Sequence, residues 1–125
     1  MKKVLLVLLL ITLTSCQDNE TISQDQAAQD LQDIFTEIES MVNTISCDNS
    51  EDWTFIGYGS KACGGFVGYI AYPAFIDTQL FIELIEAHKQ AQEDFNQKWQ
   101  IVGTCDWEVP PTDVQCDDGV PKFVY

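Results

Sequence analysis

Residues 53–72 read WTFIGYGSKACGGFVGYIAY, a strand-forming run followed by a cysteine among glycines and then by two tyrosines. In the first six residues, Trp53 to Tyr58, aromatic and β-branched side chains dominate, which predicts a β-strand. The glycines that follow cluster around Cys63. Such density indicates unusual backbone angles or the close approach of another segment. The stretch therefore predicts a strand that leads into a constrained loop.

An amphipathic helix is predicted before this stretch. Ser23 and Gln26 form an S-x-x-Q capping box, in which side chains satisfy free backbone N–H groups at the start of a helix. Apolar residues then recur at helical spacing as far as Ile45. The pattern predicts a helix over residues 24–45 with one apolar stripe that faces the core.

A second amphipathic helix is predicted after the stretch. Asp77 is a candidate N-cap, and Ile76 and Phe81 stand at the two positions of a hydrophobic staple. His88, the only histidine, is expected on the surface or flank of this helix, where it would have no catalytic role. The helix should end near residue 99, and its predicted apolar stripe is Leu80, Leu84, Ala87, Ala91, Phe95 and Trp99, widened by Phe81, Ile82 and Ile85.

The C-terminal part is predicted to be rich in β-structure. Residues 101–107 form one candidate strand, Pro110-Pro111 ends it, and residues 113–116 begin another. Asp117-Asp118-Gly119 is a turn signal that predicts a terminal hairpin. With the Trp53 strand, the pattern predicts one α+β domain over residues 23–125. In it, two amphipathic helices pack on one face of a three- or four-stranded antiparallel sheet.

The five cysteines fall into two groups. Cys16 stands alone near the N-terminus, whereas the other four lie in the predicted domain. An even number in an exported protein predicts two disulfides, and the sequence leaves all three pairings open. No metal site or cofactor is expected, because there is no C-x-x-C pair and His88 is far from any cysteine in sequence. The cysteines predicted to form disulfides are Cys47, Cys63, Cys105 and Cys116.

Residues 1–15 have the layout of a secretory signal peptide. A charged start precedes an apolar run that is too short to span a membrane. The end of this region, Leu-Thr-Ser-Cys16, resembles the bacterial lipobox, whose cysteine receives a diacylglycerol thioether and becomes the acylated N-terminus. We expect residues 1–15 to be removed, Cys16 to carry lipid, and residues 16–22 to form a short acidic tether. The alternative is an ordinary secretory signal that ends in cysteine by chance.

Cleavage would leave four lysines and no arginine against twenty acidic residues, a net charge of −16. Nucleic-acid binding is disfavoured, because it depends on basic residues that neutralise phosphates. An anionic lipid surface would repel the body of the protein, so attachment to a membrane is expected to depend on the lipid at Cys16. Strong acidity is also a simple source of solubility.

Four features of residues 47–125 resemble a group of small exported bacterial proteins that are often lipoproteins. They are the K-x-C-G-G segment around Cys63, the Tyr69-x-x-Tyr72 pair, an amphipathic helix that ends near Asn96-x-Lys98-Trp99, and the C-x(10)-C-x-D-G ending that starts at Cys105. The group has no established activity, so the resemblance implies no catalytic residues. Many of its members have proline where this chain has Phe66, which leaves the turn after the two glycines open.

The acidic residues that follow Cys16 resemble a second known pattern, the surface-export signal of Bacteroidota lipoproteins. This resemblance implies a lipid-anchored protein of the cell envelope at the outer membrane, and the sequence leaves open whether the protein faces outward or toward the periplasm.

The residues favour a binding protein over an enzyme. Nucleophilic catalysis needs a base beside the nucleophile, and the chain has one histidine and no recognisable nucleophile motif. A carboxylate-based hydrolase is the third hypothesis, but nothing singles out a pair among twenty acidic residues. The main hypothesis is a non-enzymatic module that binds an extracytoplasmic protein, as an inhibitor or an envelope assembly factor. The alternative is a small-ligand carrier that uses the glycine-rich and tyrosine segment of residues 57–72.

Candidate binding residues cluster in that same segment, where aromatic side chains could anchor a partner. For at least half of these aromatic residues, packing in the core is the simpler explanation. The candidates are Tyr58, Gly64, Gly65, Phe66, Tyr69 and Tyr72, and Trp53 and Trp107 are further aromatic anchors to consider.

Overall fold

The structure is a computed structural model that describes residues 21–125. The predicted signal peptide, the lipid site at Cys16 and most of the tether lie outside the described residues. The class is α+β, braced by two disulfides, as the sequence predicts. The elements follow in the order α1 (Gln24–Ser40), a 3₁₀ turn (Ser50–Asp52), β1 (Trp53–Tyr58), β2 (Gly68–Pro73), α2 (Thr78–Lys98), β3 (Asp113–Asp117) and β4 (Val120–Val124).

Helix α1 begins where the capping box predicts. Ser23 Oγ accepts a hydrogen bond from the backbone N–H of Gln26 at 3.2 Å. The Gln26 side chain donates to Asp30 rather than turning back to the cap, so half of the box forms. The start of α1 is therefore fixed by a single capping hydrogen bond, from Gln26 N to Ser23 Oγ.

Helix α1 ends at Ser40, five residues before the predicted end at Ile45. The chain tightens there into i→i+3 hydrogen bonds, such as that from Ile45 N to Val42 O at 3.1 Å. It must turn because Cys47 pairs with Gly119 in the C-terminal hairpin, with its N–H donating to the Gly119 carbonyl at 2.9 Å. Val42 and Ile45 still pack in the core, so the apolar pattern continues although the helix stops.

Strands β1 and β2 form an antiparallel hairpin in which Trp53 lies opposite Pro73 and Tyr58 lies opposite Gly68. Alternate side chains of a strand point to opposite faces. Ile56 and Tyr58 pack with the two helices, whereas Trp53 and Phe55 pack with the second hairpin. The first hairpin thus lies between the helix pair and the second hairpin.

Strands β3 and β4 form the predicted C-terminal hairpin. Asp118 and Gly119 both have positive φ, at 51° and 75°, which is the geometry of a type I′ turn. This hairpin does not extend the first one: the strands pair as β1 with β2 and as β3 with β4. The fold therefore has two small antiparallel sheets where the sequence predicts one sheet of three or four strands.

Helix α2 begins as predicted, with Asp77 Oδ1 accepting from Leu80 N at 3.1 Å and Ile76 packed in the cluster around Phe81. Its buried residues are Phe81 and Ile85, which belong to the predicted stripe, and His88, which does not. Leu80, the first residue of the predicted stripe, is 44% exposed. The row of Phe81 and Ile85 is buried because it packs against both α1 and the first hairpin.

The strand predicted over residues 101–107 is wrong, since residues 101–112 contain no regular secondary structure. Gln100 has a φ of 50°, and Ile101 N donates to Asn96 O at 2.9 Å. These features form a Schellman-type helix end, which turns the chain away from α2. Val102 is then 93% exposed and has no strand beside it, so the β-forming residues at this point find no partner.

Candidate functional site

A disulfide joins the glycine-rich loop to the irregular segment of residues 101–112. Cys63 pairs with Cys105, with Cα atoms 5.4 Å apart. The other disulfide, between Cys47 and Cys116, lies in the core beneath the second hairpin. The structure therefore selects one of the three pairings that the sequence leaves open, and the Cys63 bridge brings two distant segments together at the surface.

The glycine-rich loop is a compact turn. Gly64 and Gly65 have φ values of 91° and 86°, which residues with a side chain rarely adopt. Lys61 N donates to Gly65 O at 3.0 Å, and Gly64 N donates to Lys61 O at 2.9 Å. These bonds hold the bare backbone of Gly65 against the Trp107 indole, which would lie 3.4 Å from an added Cβ atom.

A groove of about 280 Å³ opens between this loop and the segment that carries Trp107. Trp107 is 78% exposed and Phe66 is 39% exposed. Tyr69, on strand β2, is half-buried. The Phe66 and Tyr69 rings meet edge to face, with centroids 5.9 Å apart. The groove is lined by Lys61, Gly64, Gly65, Phe66, Tyr69, Asp106, Trp107, Glu108 and Pro110.

Lys61 ties the two sides of the groove together. Its ammonium donates to the backbone carbonyl of Asp106 at 2.9 Å and lies 3.3 Å from Glu108 Oε1. Lys61 is the better buried of the pair, and its side chain spans the same gap as the disulfide. The groove contains one positive group and two carboxylates, so its net charge is negative.

Nearby carboxylates also affect Tyr58, which lies on the face of the first hairpin that packs on the helices. The pKa of Tyr58 is raised, mainly by burial and further by the carboxylates of Glu39 and Glu108. The Tyr58 ring packs on Phe35 of α1, with centroids 4.5 Å apart. Tyr58 is therefore a neutral, helix-facing residue rather than part of the groove.

The candidate residues from the sequence divide into two sets. Tyr58 and Tyr72 face the helices, and Tyr72 packs on Phe81 with ring centroids 4.7 Å apart. Trp53 is buried beneath the second hairpin. Gly64, Gly65, Phe66 and Tyr69, the other four candidate binding residues, line the groove.

Four groove residues were not among the candidates from the sequence: Lys61, Asp106, Glu108 and Pro110. Lys61 is 45 residues before Asp106 in the chain, and the Cys63–Cys105 disulfide brings the two segments together. The available signal was the position of Asp106-Trp107-Glu108 directly after a cysteine. Only the pairing of Cys105 with Cys63 makes that position meaningful.

A second cavity, of about 350 Å³, lies between the two hairpins and the end of α1. Its walls include Trp53, Tyr69 and Phe123. Tyr69 lines both this cavity and the groove, and Phe55 links it to Phe123 through two edge-to-face contacts of 6.0 and 6.2 Å. A row of aromatic rings therefore runs from the second hairpin to the groove.

His88 is only 6% exposed, so the expectation of a surface or helix-edge histidine is wrong. It packs between the rings of Phe35 and Tyr58, at centroid distances of 5.3 and 6.2 Å. Its Nδ1 has no hydrogen-bond partner among the described residues. Burial lowers the pKa of His88, so the neutral imidazole is the form that the core holds.

Comparisons with known proteins give no match, whether with family models, with curated sequences or with solved structures. Within residues 21–125, no helix is long and apolar enough to cross a membrane. The same residues contain no group of three or more histidine, cysteine or acidic side chains placed to hold a metal ion.

Proposed function

We propose that this chain is a lipid-anchored protein of the bacterial cell envelope that binds another extracytoplasmic protein through the Trp107 groove. Two features of the sequence support the location: the lipobox at Cys16 and the even set of four cysteines that follows it. The groove supports the binding role. The proposed activity is non-enzymatic, as an inhibitor or an assembly factor.

The observation that carries the proposal is the position of Trp107. Its indole is 78% exposed, yet the Cys63–Cys105 disulfide and the Lys61 contacts hold the segment around it. Tryptophan is among the residues that dominate binding energy at protein interfaces. A large aromatic ring that is exposed and already held in place loses little conformational entropy when a partner covers it.

The proposed anchor places the groove close to a membrane. Ser23 is the seventh residue after Cys16, and an extended chain spans at most about 25 Å over that length. The acidic residues after Cys16 resemble the export signal of surface lipoproteins. This resemblance favours an outward-facing position on the outer membrane. The partner is therefore expected on or near the same surface.

The proposal is tested by affinity capture from native envelope extracts. The bait is the chain without its signal peptide and with Cys16 replaced by serine, compared with the same bait carrying Trp107→Ala. We expect a specific protein to be retained by the first bait and lost from the second, because the alanine removes the exposed anchor. Mass spectrometry of the eluates identifies what each bait retains.

Val102→Ala is the matched control for this experiment. Val102 is 93% exposed and lies in the same irregular segment, but it does not line the groove. A partner retained equally by the Trp107→Ala and Val102→Ala baits would contradict the proposed site. Recovery of no specific protein with any bait would contradict the protein-binding role.

The cavity between the hairpins favours a second candidate function, a small-ligand carrier. Its volume of about 350 Å³ falls within the range of small-molecule sites, and aromatic and aliphatic side chains line it. A ligand held there would raise the melting temperature of the protein by mass action. Thermal unfolding before and after extraction of the purified protein with organic solvent tests this candidate, which predicts a lower melting temperature after extraction.

A further inference from the structure

The groove combines aromatic rings with carboxylates. Phe66, Tyr69 and Trp107 supply the rings, and Asp106 and Glu108 stand on either side of Trp107 in the chain. The face of an aromatic ring is electron-rich and attracts a cation within about 6 Å, with tryptophan the most effective. Carboxylates nearby add a direct charge attraction. Such a set of groups suits a positively charged organic group better than a neutral or negative one.

Lys61 shows how an ammonium group is received at the edge of this groove. Its Nζ atom lies between a backbone carbonyl, that of Asp106, and the carboxylate of Glu108. The Asp106 carboxylate itself makes no ion pair among the described residues. One carboxylate therefore remains available to an incoming cation.

The charge of the whole chain points in the same direction. The region after the predicted cleavage site has four lysines and no arginine against twenty acidic residues. Two of the four lysines, Lys61 and Lys122, already pair with acidic side chains in the structure. A basic partner would be attracted to this surface over a distance of about 8–10 Å at physiological ionic strength.

We infer that the groove receives a lysine or arginine side chain from a basic segment of the partner protein. The inference rests on the proposed protein-binding function and adds the chemistry that the partner must present. The side chain enters between Trp107, Phe66 and Tyr69, with its charge facing Asp106. A second copy of this chain is a poor occupant, because each copy without residues 1–15 would carry a net charge of −16 and the two would repel each other.

The direct test uses short capped peptides as probes, observed by NMR on the isotope-labelled folded protein. The peptides are Gly-Lys-Gly, Gly-Arg-Gly, Gly-norleucine-Gly and Gly-Glu-Gly. Norleucine keeps the aliphatic chain of lysine without its charge. We expect the lysine and arginine peptides to shift the Trp107 indole and Gly65 amide signals in a saturable way, with at least threefold to tenfold higher affinity than the norleucine peptide.

Substitutions at the groove separate the ring from the charge. Trp107→Phe keeps an aromatic ring. Trp107→Leu removes the aromatic ring but keeps a large apolar side chain. We expect the leucine variant to lose threefold to tenfold in affinity for the lysine peptide, roughly, and the phenylalanine variant to lose less. Asp106→Asn should weaken binding and reduce its dependence on salt, and Val102→Ala should leave it unchanged.

Three outcomes would overturn the inference. The norleucine or glutamate peptide could bind as tightly as the lysine peptide, the leucine variant could keep full affinity, or size-exclusion chromatography could show that a second copy covers the groove. Each leaves the envelope capture experiment unaffected, because that experiment asks whether Trp107 holds any partner. If the unsubstituted bait captures no specific protein while the lysine peptide still binds the groove, the proposed function alone is overturned.

Discussion

Gly57 supports one wall of the groove, because the ring of Phe66, which lines the groove, packs on its backbone. It lies in the middle of β1, and the ring of Phe66 packs so closely on its backbone that an added Cβ atom would overlap the ring. Glycine usually weakens a strand, so its place here reflects the approach of another group rather than strand formation. The residue that interrupts the β-forming pattern thus allows Phe66 to lie flat on β1.

We expect Gly57→Ala to destabilise the fold by about 1–3 kcal/mol, because the new methyl group overfills a packed site. The measurement is the free energy of unfolding in urea. The cost should shrink in a Phe66→Ala background, where the overlapping ring is gone. An equal cost in both backgrounds would show that some other contact is responsible.

His88 is the second residue whose surroundings decide its behaviour. Its imidazole is buried between two aromatic rings, and its pKa is lowered by burial. A histidine in the unfolded chain has a pKa near 6.5. The folded state therefore holds fewer protons than the unfolded state once the pH falls below about 6.5, and its stability decreases there.

We expect His88→Leu to be at least as stable as the wild-type protein at pH 7.5, because it removes a buried Nδ1 atom that lacks a partner. The difference should widen in favour of the variant between pH 7 and pH 5.5. The loss in the wild-type protein is at most about 1.4 kcal/mol for each pH unit. Urea unfolding of both proteins across this range checks the expectation, and a difference that does not change with pH would refute it.

At the scale of the element, the end of α2 decides where the groove segment runs. Gln100 adopts the left-handed backbone conformation that follows the cap, a position where glycine is usual. The chain then leaves the helix axis and reaches Cys105 within five residues. A residue with a side chain is strained in this conformation, by about 1–2 kcal/mol.

We expect Gln100→Gly to raise the free energy of unfolding by several tenths of a kcal/mol, or up to about 1 kcal/mol, since relief of strain outweighs the extra freedom of the unfolded chain. Gln97→Gly is the matched control. That position lies in the last turn of α2, in helical conformation, so glycine there should lower stability, by up to about 1 kcal/mol. Thermal or urea unfolding compares the two, and a change of the same sign in both would argue against the left-handed end.

The elements themselves follow from local patterns to different degrees. The β1 strand, the starts of both helices and the type I′ turn agree with the sequence, because each depends on neighbouring residues. The early end of α1 and the absence of a strand at residues 101–107 differ from what the sequence predicts. In both places a distant contact, at Gly119 or at Cys63, directs the chain against its local preference.

At the scale of the whole molecule, the two disulfides have different positions. Cys47–Cys116 lies in the core and joins the segment that follows α1 to β3, across 69 residues. Cys63–Cys105 lies at the surface and holds the two segments of the groove together. The first bridge supports the assembly of the layers, and the second supports the geometry of the site.

We expect the double change Cys47→Ala and Cys116→Ala to lower stability by about 2–5 kcal/mol. Removal of the second bridge, by Cys63→Ala and Cys105→Ala, should cost less and should increase the motion of the Trp107 side chain, because its segment then has one fewer attachment. Unfolding experiments and NMR relaxation of the Trp107 indole N–H measure the two effects. Equal rigidity of the indole with and without the second bridge would count against this division.

The proposed lipid anchor would act on the whole molecule, and the proposal rests on the lipobox at Cys16. We expect Cys16→Ser to abolish incorporation of labelled palmitate in the native host, because the thioether needs the cysteine sulfur. The double change Cys63→Ser and Cys105→Ser should keep the label and serves as the control. Intact mass of the membrane fraction gives an independent reading, and an unmodified Cys16 there would disprove lipidation.

The sequence by itself determined the features that depend on neighbouring residues: the α+β class, the two helix starts, the β1 strand and the C-terminal hairpin turn. It also singled out five of the nine residues that line the groove: Gly64, Gly65, Phe66, Tyr69 and Trp107. Only the tertiary structure decided the disulfide pairing, the separation into two hairpins, the burial of His88 and the meeting of Trp107 with Gly65. Those features arise from contacts between residues far apart in the chain, which periodicity and turn residues do not encode because they describe one segment at a time.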